Sequence, residues 1–498
     1  MTAAAPAPTT AAPLAVAPAS ATPAPARALG LERARIDAST SGPVLFFFGS
    51  AVLWLLASTA LGLISSVQLH APEFLAGCPF LSYGRVLPAY HHAIFYGWAS
   101  QAGIGVGLWL LSRLCRVEMK LTGILMIAAL FCNIGLTVGI AQILGGKTSG
   151  VEGMELTGGA AGIMFVGYGL VALWAAMIFG LRRQGPAYIS VWYLLAAFLW
   201  LPWSFGLGYF GQQFSGLQGV MQNVLAAWAS HSLLHMWITG VGLAAAYYLI
   251  PKVINRPVFS YNLAAIGFWS WLVFGGLTSM VRLSGGPVPA WLVTLSISAH
   301  ILLIVQIVTV TANLVLTMRD NYHMVYHSPT IRFTFFGAIA FSIASVLGLL
   351  ASLRSVDRVL HFTEATTAID TAILYAFFSM AMFGAIYYIM PRLVGCEWLS
   401  SSMISLHFWG AAYGGGMAIL LLLFGGIASG LTLADPEALF SQVVQIGYYS
   451  HLGRTLGLIL LSLGHLIFAL HFLLMLLRIG QPGGQATLFA PIGDESHT

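Results

Sequence analysis

Two histidines four residues apart, His231 and His235 in the stretch WASHSLLHMW, fall on one face if that stretch is helical, and such a pair can grip a metal ion. With only two ligands, the same pair serves equally as a hydrogen-bonded structural element. A second pair, His91 and His92 in LPAYHHAIFYGW, is adjacent, and one residue along a helix turns a side chain by about 100°. Only one of these two can therefore face a given cofactor. Two charges stand inside or beside apolar runs: Arg282, just before GGPVPAWL, and Asp370, the one acid between Thr366 and Met390. An ionisable group in hydrocarbon costs about 2.5–3.5 kcal/mol on insertion scales unless it is paired or wet, so Asp370 requires a partner. The runs carrying Arg282 and Asp370 cross in opposite directions and put both residues near the same depth, so these two charges are expected to meet. Arg454, in YYSHLGRTLG, is a third charge of interest, with Arg354 and Arg358 on the same side and Asp357 and Glu364 as alternative acidic partners. His300, His407, His465 and His471 belong to no motif and read as structural.

The elements that position these residues are apolar runs. The chain of 498 residues is 58% hydrophobic and 7% charged, which excludes an ordinary soluble protein and describes a polytopic membrane protein. Runs recur at about 43–67, 88–114, 121–143, 157–181, 188–210, 220–250, 262–283, 291–318, 331–353, 365–391, 403–430 and 447–477. Each is long enough to cross a bilayer as a helix, and only helix satisfies the backbone within one segment in lipid. Twelve spans follow, in an all-α integral membrane fold occupying residues 41–480. Residues 1–40, rich in Ala and Pro, read as a disordered tail, and 481–498 as a second tail. A signal peptide is not expected, since no basic residue precedes Arg27.

With the N-terminus in the cytoplasm, Lys and Arg divide 14 inside to 6 outside, which predicts an inner-membrane, multi-pass protein with both termini cytoplasmic. The net charge of +5 is explained by this topology, and no nucleic-acid partner is expected. Cys78, Cys115, Cys132 and Cys396 are scattered, with no C-x-x-C-H, so any covalently attached c-type heme belongs to a partner chain.

Several stretches carry a family resemblance. FGAIYYIMPRL, from Phe383 to Leu393, resembles the tenth helix of heme-copper oxidase subunit I, most closely the cbb3 type. YGRVLPAYHHAIFYGW resembles that family's G-R-x-x-P-x-H-x-N-A start of the second helix, and the stretch from Trp228 through YYLIPK to RPVFSY resembles its sixth. The resemblance extends from about Ser41 to Arg478 and implies a twelve-helix heme-copper oxidase subunit I bundle with heme b and copper as cofactors. It also implies partners among other respiratory-complex subunits, including c-type cytochrome subunits.

Residue by residue, the implied ligand set is incomplete. His231 stands at a copper-ligand position. The two further copper ligands fall on Val281 and Arg282, and the expected tyrosine on Gly275. The first low-spin heme ligand falls on Tyr90, displaced from His91 and His92, and the two axial ligands of the tenth helix fall on Ile369 and Thr371. Arg454 matches an arginine near the hemes, and His361 a non-ligand histidine of cbb3-type chains. The expectation is a cytochrome c oxidase subunit I-like member of an electron-transport assembly that does not itself reduce oxygen. In it Arg282 and Asp370 pair where a metal would sit, and Phe377, Phe378, Met380, Met382, Phe383 and Trp237 fill space vacated by hemes. An active oxygen or nitric oxide reductase using His91, His92, His231 and His235 is the enzymatic alternative. A transporter built on Arg282 and Asp370 lacks a repeat or broken-helix signature.

Overall fold

The computed structural model describes residues 24–183, 185–214 and 216–480. Among the described residues, twelve helices are long and apolar enough to span a bilayer: α1 Ala28–His70, α2 Tyr83–Cys115, α3 Thr122–Leu144, α4 Gly158–Gly180, α5 Ile189–Gln213 and α6 Val220–Val253. They continue as α7 Tyr261–Leu283, α8 Ala290–Thr317, α9 Pro329–Ser352, α10 Glu364–Val394, α11 Ser401–Leu433 and α12 Phe440–Leu476. Among the described residues there is no β-strand. The protein is a multi-pass membrane protein, in agreement with the apolar runs.

Local chemistry sets where the spans begin. Ser260, Ser328 and Ser400 each accept a hydrogen bond from the backbone N–H three residues on, capping α7, α9 and α11, and Pro329 occupies the first turn of α9, where its missing N–H costs nothing. All three starts lie at the end of the bundle where α1 begins, which also carries most of the basic residues and is called the basic face below.

The first helix begins at Ala24, so residues 24–40 are helical where a disordered tail was expected. The segment LERARID consists largely of good helix formers, and its acids find partners: Asp37 accepts from Trp109 Nε1 at 3.0 Å and pairs with Arg113 at 3.2 Å. The remainder of the expected N-terminal tail, residues 1–23, and the tail over 481–498 lie outside the described residues.

The centre of the bundle is built by α2, α6 and α10, whose apolar windows are 94%, 94% and 89% buried, against 22% for α11. Each of the three contains a widened π turn, at Ala93–Ala99, Leu233–Ile238 and Ala372–Ser379. Such turns loosen the regular hydrogen-bond ladder and recur at functional sites. Here hydroxyls bridge the freed carbonyls: Ser379 Oγ donates to the Leu374 carbonyl and Thr239 Oγ1 to that of Leu234, both five residues back. The same level joins the three helices, since Trp98 Nε1 donates to Ser379 Oγ at 2.9 Å and Trp237 Nε1 to Ser100 Oγ at 3.1 Å.

On the rim, α11 and α12 approach backbone to backbone. A Cβ at Gly414 would lie 2.5 Å from the Leu461 nitrogen, and one at Gly410 would lie 3.1 Å from the Gly464 Cα. In lipid, where apolar burial drives nothing, such small-residue seams allow dispersion contacts to hold helices together.

Candidate cofactor and metal site

The site grows from the ends of α6 and α7 that face away from the basic face. The α6 histidines stack, with His231 and His235 ring centroids 4.0 Å apart. On α7 the chain tightens into a 3-10 turn over Gly275–Leu283, which carries Thr278 and Arg282 toward α6. Arg282 Nε donates to His231 Nδ1 at 3.2 Å. An imidazole nitrogen that accepts from a guanidinium carries no proton, so the other nitrogen holds it and His231 Nε2 donates to Thr278 Oγ1 at 2.8 Å. Thr278 Oγ1 in turn donates to the Gly275 carbonyl. His231 is thereby held neutral in a fixed tautomer with both nitrogens engaged. It has no free lone pair to offer a metal.

Arg282 Nη2 completes the arrangement by donating to the Asp370 carboxylate. The pair keeps contact with open space, with side chains 41% and 31% accessible. A third imidazole arrives from α8: His300 lies 6.2 Å from the His231 ring, with its Nδ1 turned to the Ser296 carbonyl. His235, His300, Thr278 and Gln306 line a small cavity of about 50 Å³ that continues between α8 and α9. That volume suits a water or two at its polar end, the rest being walled by apolar side chains such as Phe341, Leu349 and Ile369. Among the described residues, no group of three His, Cys, Asp or Glu side chains is gathered closely enough to hold a metal.

The positions where the family resemblance implies ligands behave as their chemistry dictates. Gly275, at the implied tyrosine position, is filled by its neighbour: a Cβ there would lie 2.6 Å from Met236 Sδ. Val281 N–H donates to Ser296 Oγ, and its side chain has no donor atom. Tyr90 turns its ring over Gly62 of α1, where a Cβ would lie 2.9 Å from the ring. On α10, residues 366–376 read Thr, Thr, Ala, Ile, Asp, Thr, Ala, Ile, Leu, Tyr, Ala, so no imidazole or thiolate is available in any register. These donors do not fit a copper ion beside a heme, nor a heme held from α10.

His91 and His92 diverge. His91 is exposed and within electrostatic reach of Arg454 and Asp370. His92 is buried and points the other way, with Nε2 3.4 Å from Glu155 of the loop between α3 and α4. The two histidines therefore cannot serve one cofactor, and His92 belongs to a separate polar pocket with Tyr96. Arg454 is 7% exposed and forms no ion pair among the described residues. Asp357, one acid considered for it, pairs instead with His361 at 3.1 Å.

Phe377, Phe378, Met380, Met382, Phe383 and Trp237 are fully buried. They fill the half of the bundle nearer the basic face: Phe383 stacks on Trp98 at 4.7 Å and Phe377 packs on Phe341 at 4.9 Å. The opposite half of α10 is not filled in this way. There Thr367, Asp370, Thr371 and Leu374 stay partly accessible.

Glu155 lies outside the spans, and burial raises its carboxyl above the usual range, with Glu152 adding to the shift. A carboxyl with a raised pKa in the folded state favours folding at low pH, and that contribution is lost as pH rises through the folded value. Glu155→Gln is therefore expected to melt at a higher temperature than the parent at about pH 8, and the difference is expected to vanish at about pH 3, below the ordinary carboxyl value, where the group is protonated in both states. A variant less stable than the parent at about pH 8 would mean that His92 carries a compensating charge.

Comparison with known proteins agrees with this architecture. Residues 42–483 match the family described as Cytochrome C and Quinol oxidase polypeptide I. The chain is similar to a cytochrome c oxidase subunit 1 homolog of Agrobacterium tumefaciens, 25% identical over 89% of this chain and 85% of that protein. It is also similar to one of Azorhizobium caulinodans, 26% identical over 88% and 82%. A cbb3-type cytochrome c oxidase subunit of Stutzerimonas stutzeri is 23% identical over 84% of this chain and 91% of its own length.

Proposed function

The chain belongs to the cytochrome c and quinol oxidase polypeptide I family, and from that premise we propose that it is a cbb3-like subunit I that does not itself reduce oxygen and serves as a structural or regulatory membrane subunit of a respiratory assembly. Fold does not carry function when the reacting groups are absent. The observation that supports the reading most directly is α10, which has no nitrogen or sulfur donor over residues 366–376. The engagement of His231 by Arg282 supports it from the copper side. In this reading the Arg282–Asp370 pair replaces a metal's positive charge with a neutral ion pair. The protein lies in the inner membrane with the basic face and both termini in the cytoplasm, and electron-carrying c-type subunits are neighbouring chains.

A second reading keeps one heme. It is favoured by accessible His91 and by Arg454, a buried guanidinium that forms no ion pair among the described residues. Such a protein would bind one b-type heme through α2 alone and would still lack the copper partner that oxygen chemistry requires. A reduced-minus-oxidised optical spectrum of the purified protein separates these readings. The proposal expects no Soret band. One band abolished by His91→Ala would establish the second reading, and two b-type hemes with a carbon monoxide response would overturn both.

A further inference from the structure

At the basic face, where α2 stops at Cys115, α4 stops at Gly180 and α5 starts at Ile189, a cavity of about 130 Å³ is lined by Arg116, Arg182 and Arg183, with Leu114, Pro186 and Val191 as apolar wall. The backbone holds the three arginines in place. Arg183 N–H donates to the Cys115 carbonyl at 3.2 Å, tying the loop before α5 to the end of α2. Arg116 adopts a left-handed conformation with φ of 57°, which a residue other than glycine keeps only where its surroundings enforce it.

The charges around this cavity do not balance. Arg116 donates from Nε and Nη2 to the two oxygens of Glu32, at 3.1 and 2.7 Å, and Arg183 Nη1 lies 3.2 Å from the same carboxylate. Arg182 lies over the Phe179 ring at 4.1 Å and donates to the Phe179 carbonyl; it forms no ion pair among the described residues. Two guanidiniums thus share one carboxylate, and the third, Arg182, has no acid beside it among the described residues. Arg183 remains 60% exposed, so its remaining donors are open.

We propose that this cavity is a phosphate site and that its ligand is the headgroup phosphate of an anionic phospholipid. Guanidinium forks match phosphate oxygens in pairs, and an excess of two positive charges recognises an anion rather than a zwitterion. The position favours a lipid over a free ion. The cavity lies level with the helix ends, where headgroups begin, and its apolar wall suits the glycerol and first acyl carbons. This assignment uses no residue of the cofactor region and stands whichever reading of that region is correct.

The test compares retention of phosphatidylglycerol, phosphatidylethanolamine and inorganic phosphate by the detergent-purified full chain, using native mass spectrometry and thermal shift. Phosphatidylglycerol is expected to be retained over phosphatidylethanolamine. The double variant Arg182→Gln/Arg183→Gln is expected to weaken it roughly 30-fold, about 2 kcal/mol, while Arg182→Lys/Arg183→Lys keeps most of the binding. Equal retention of the two lipids, or a Gln variant that folds and binds like the parent, would overturn the proposal. Protection by inorganic phosphate as strong as by phosphatidylglycerol, and lost in the Gln variant, would support the phosphate site and overturn its assignment to lipid. Should the Gln variant fail to fold, the single variant Arg182→Gln, which breaks no ion pair, is expected to weaken phosphatidylglycerol alone, and unchanged binding there would also overturn the proposal.

Discussion

Replacing Asp370 by alanine destabilises the folded protein by about 2 kcal/mol, and adding Arg282→Met to it restores most of the loss. The reasoning starts from the cost of an unpaired charge inside a span. Breaking a fully buried ion pair by removing one partner costs about 3–5 kcal/mol, whereas an exposed pair is worth about 0–1. The pair here is between these limits, because its side chains keep 41% and 31% of their surface accessible. Loss of the carboxylate leaves His231 as the hydrogen-bond partner of Arg282 among the described residues, and that imidazole then competes with water for the guanidinium. The double variant removes both charges together, so the two changes should be far from additive. Denaturant titrations of the four proteins of the cycle measure the coupling. Additive effects would mean that each charge is independently hydrated and that the pair does not organise the site.

Gly430→Ala is expected to cost about 3 kcal/mol, while Gly416→Ala on the same helix is neutral or slightly stabilising. A methyl group at Gly430 would lie 2.0 Å from the Val359 carbonyl oxygen, and one at Gly426 would lie 2.2 Å from the Ala365 nitrogen. Neither obstacle is the tip of a flexible side chain. Backbone must move, and the backbone in question is the short helix Arg354–Leu360 and the start of α10. At Gly416 a methyl group would meet nothing within 4 Å. Melting temperatures of the two variants therefore test whether α11 acts as the cradle that sets the depth of α10. Since Asp370 lies five residues beyond Ala365, Gly430→Ala should also weaken the coupling between Arg282 and Asp370.

The twelve spans were legible because length and hydropathy alone determine which segments can cross a bilayer. The contact of Arg282 with Asp370 follows from the same physics, since two charges at one depth gain by meeting. What that pair stands in for is not written in the same way. His300 carried no motif, and only the packing of α8 brings it beside His231. His92 and Glu155 are 63 positions apart, with no pattern to connect them. The π turns were invisible to periodicity, and this bears on counting. A count without gaps from FGAIYYIMPRL back to Ile369 and Thr371 crosses the turn at Ala372–Ser379, which can shift register by one residue. The conclusion about α10 survives that shift because no neighbouring position offers a histidine. At α2 register matters more, since one step separates an exposed histidine from a buried one facing Glu155.

The hydrogen bonds from Arg282 to His231 and Asp370 also constrain how this sequence can change over generations. A single exchange of Arg282 strands Asp370 without its counter-charge, and a single exchange of Asp370 strands Arg282, so either first step is expected to cost stability until a second offsets it. The two positions are therefore expected to be coupled in descent. Descendants of this chain should vary them together or not at all.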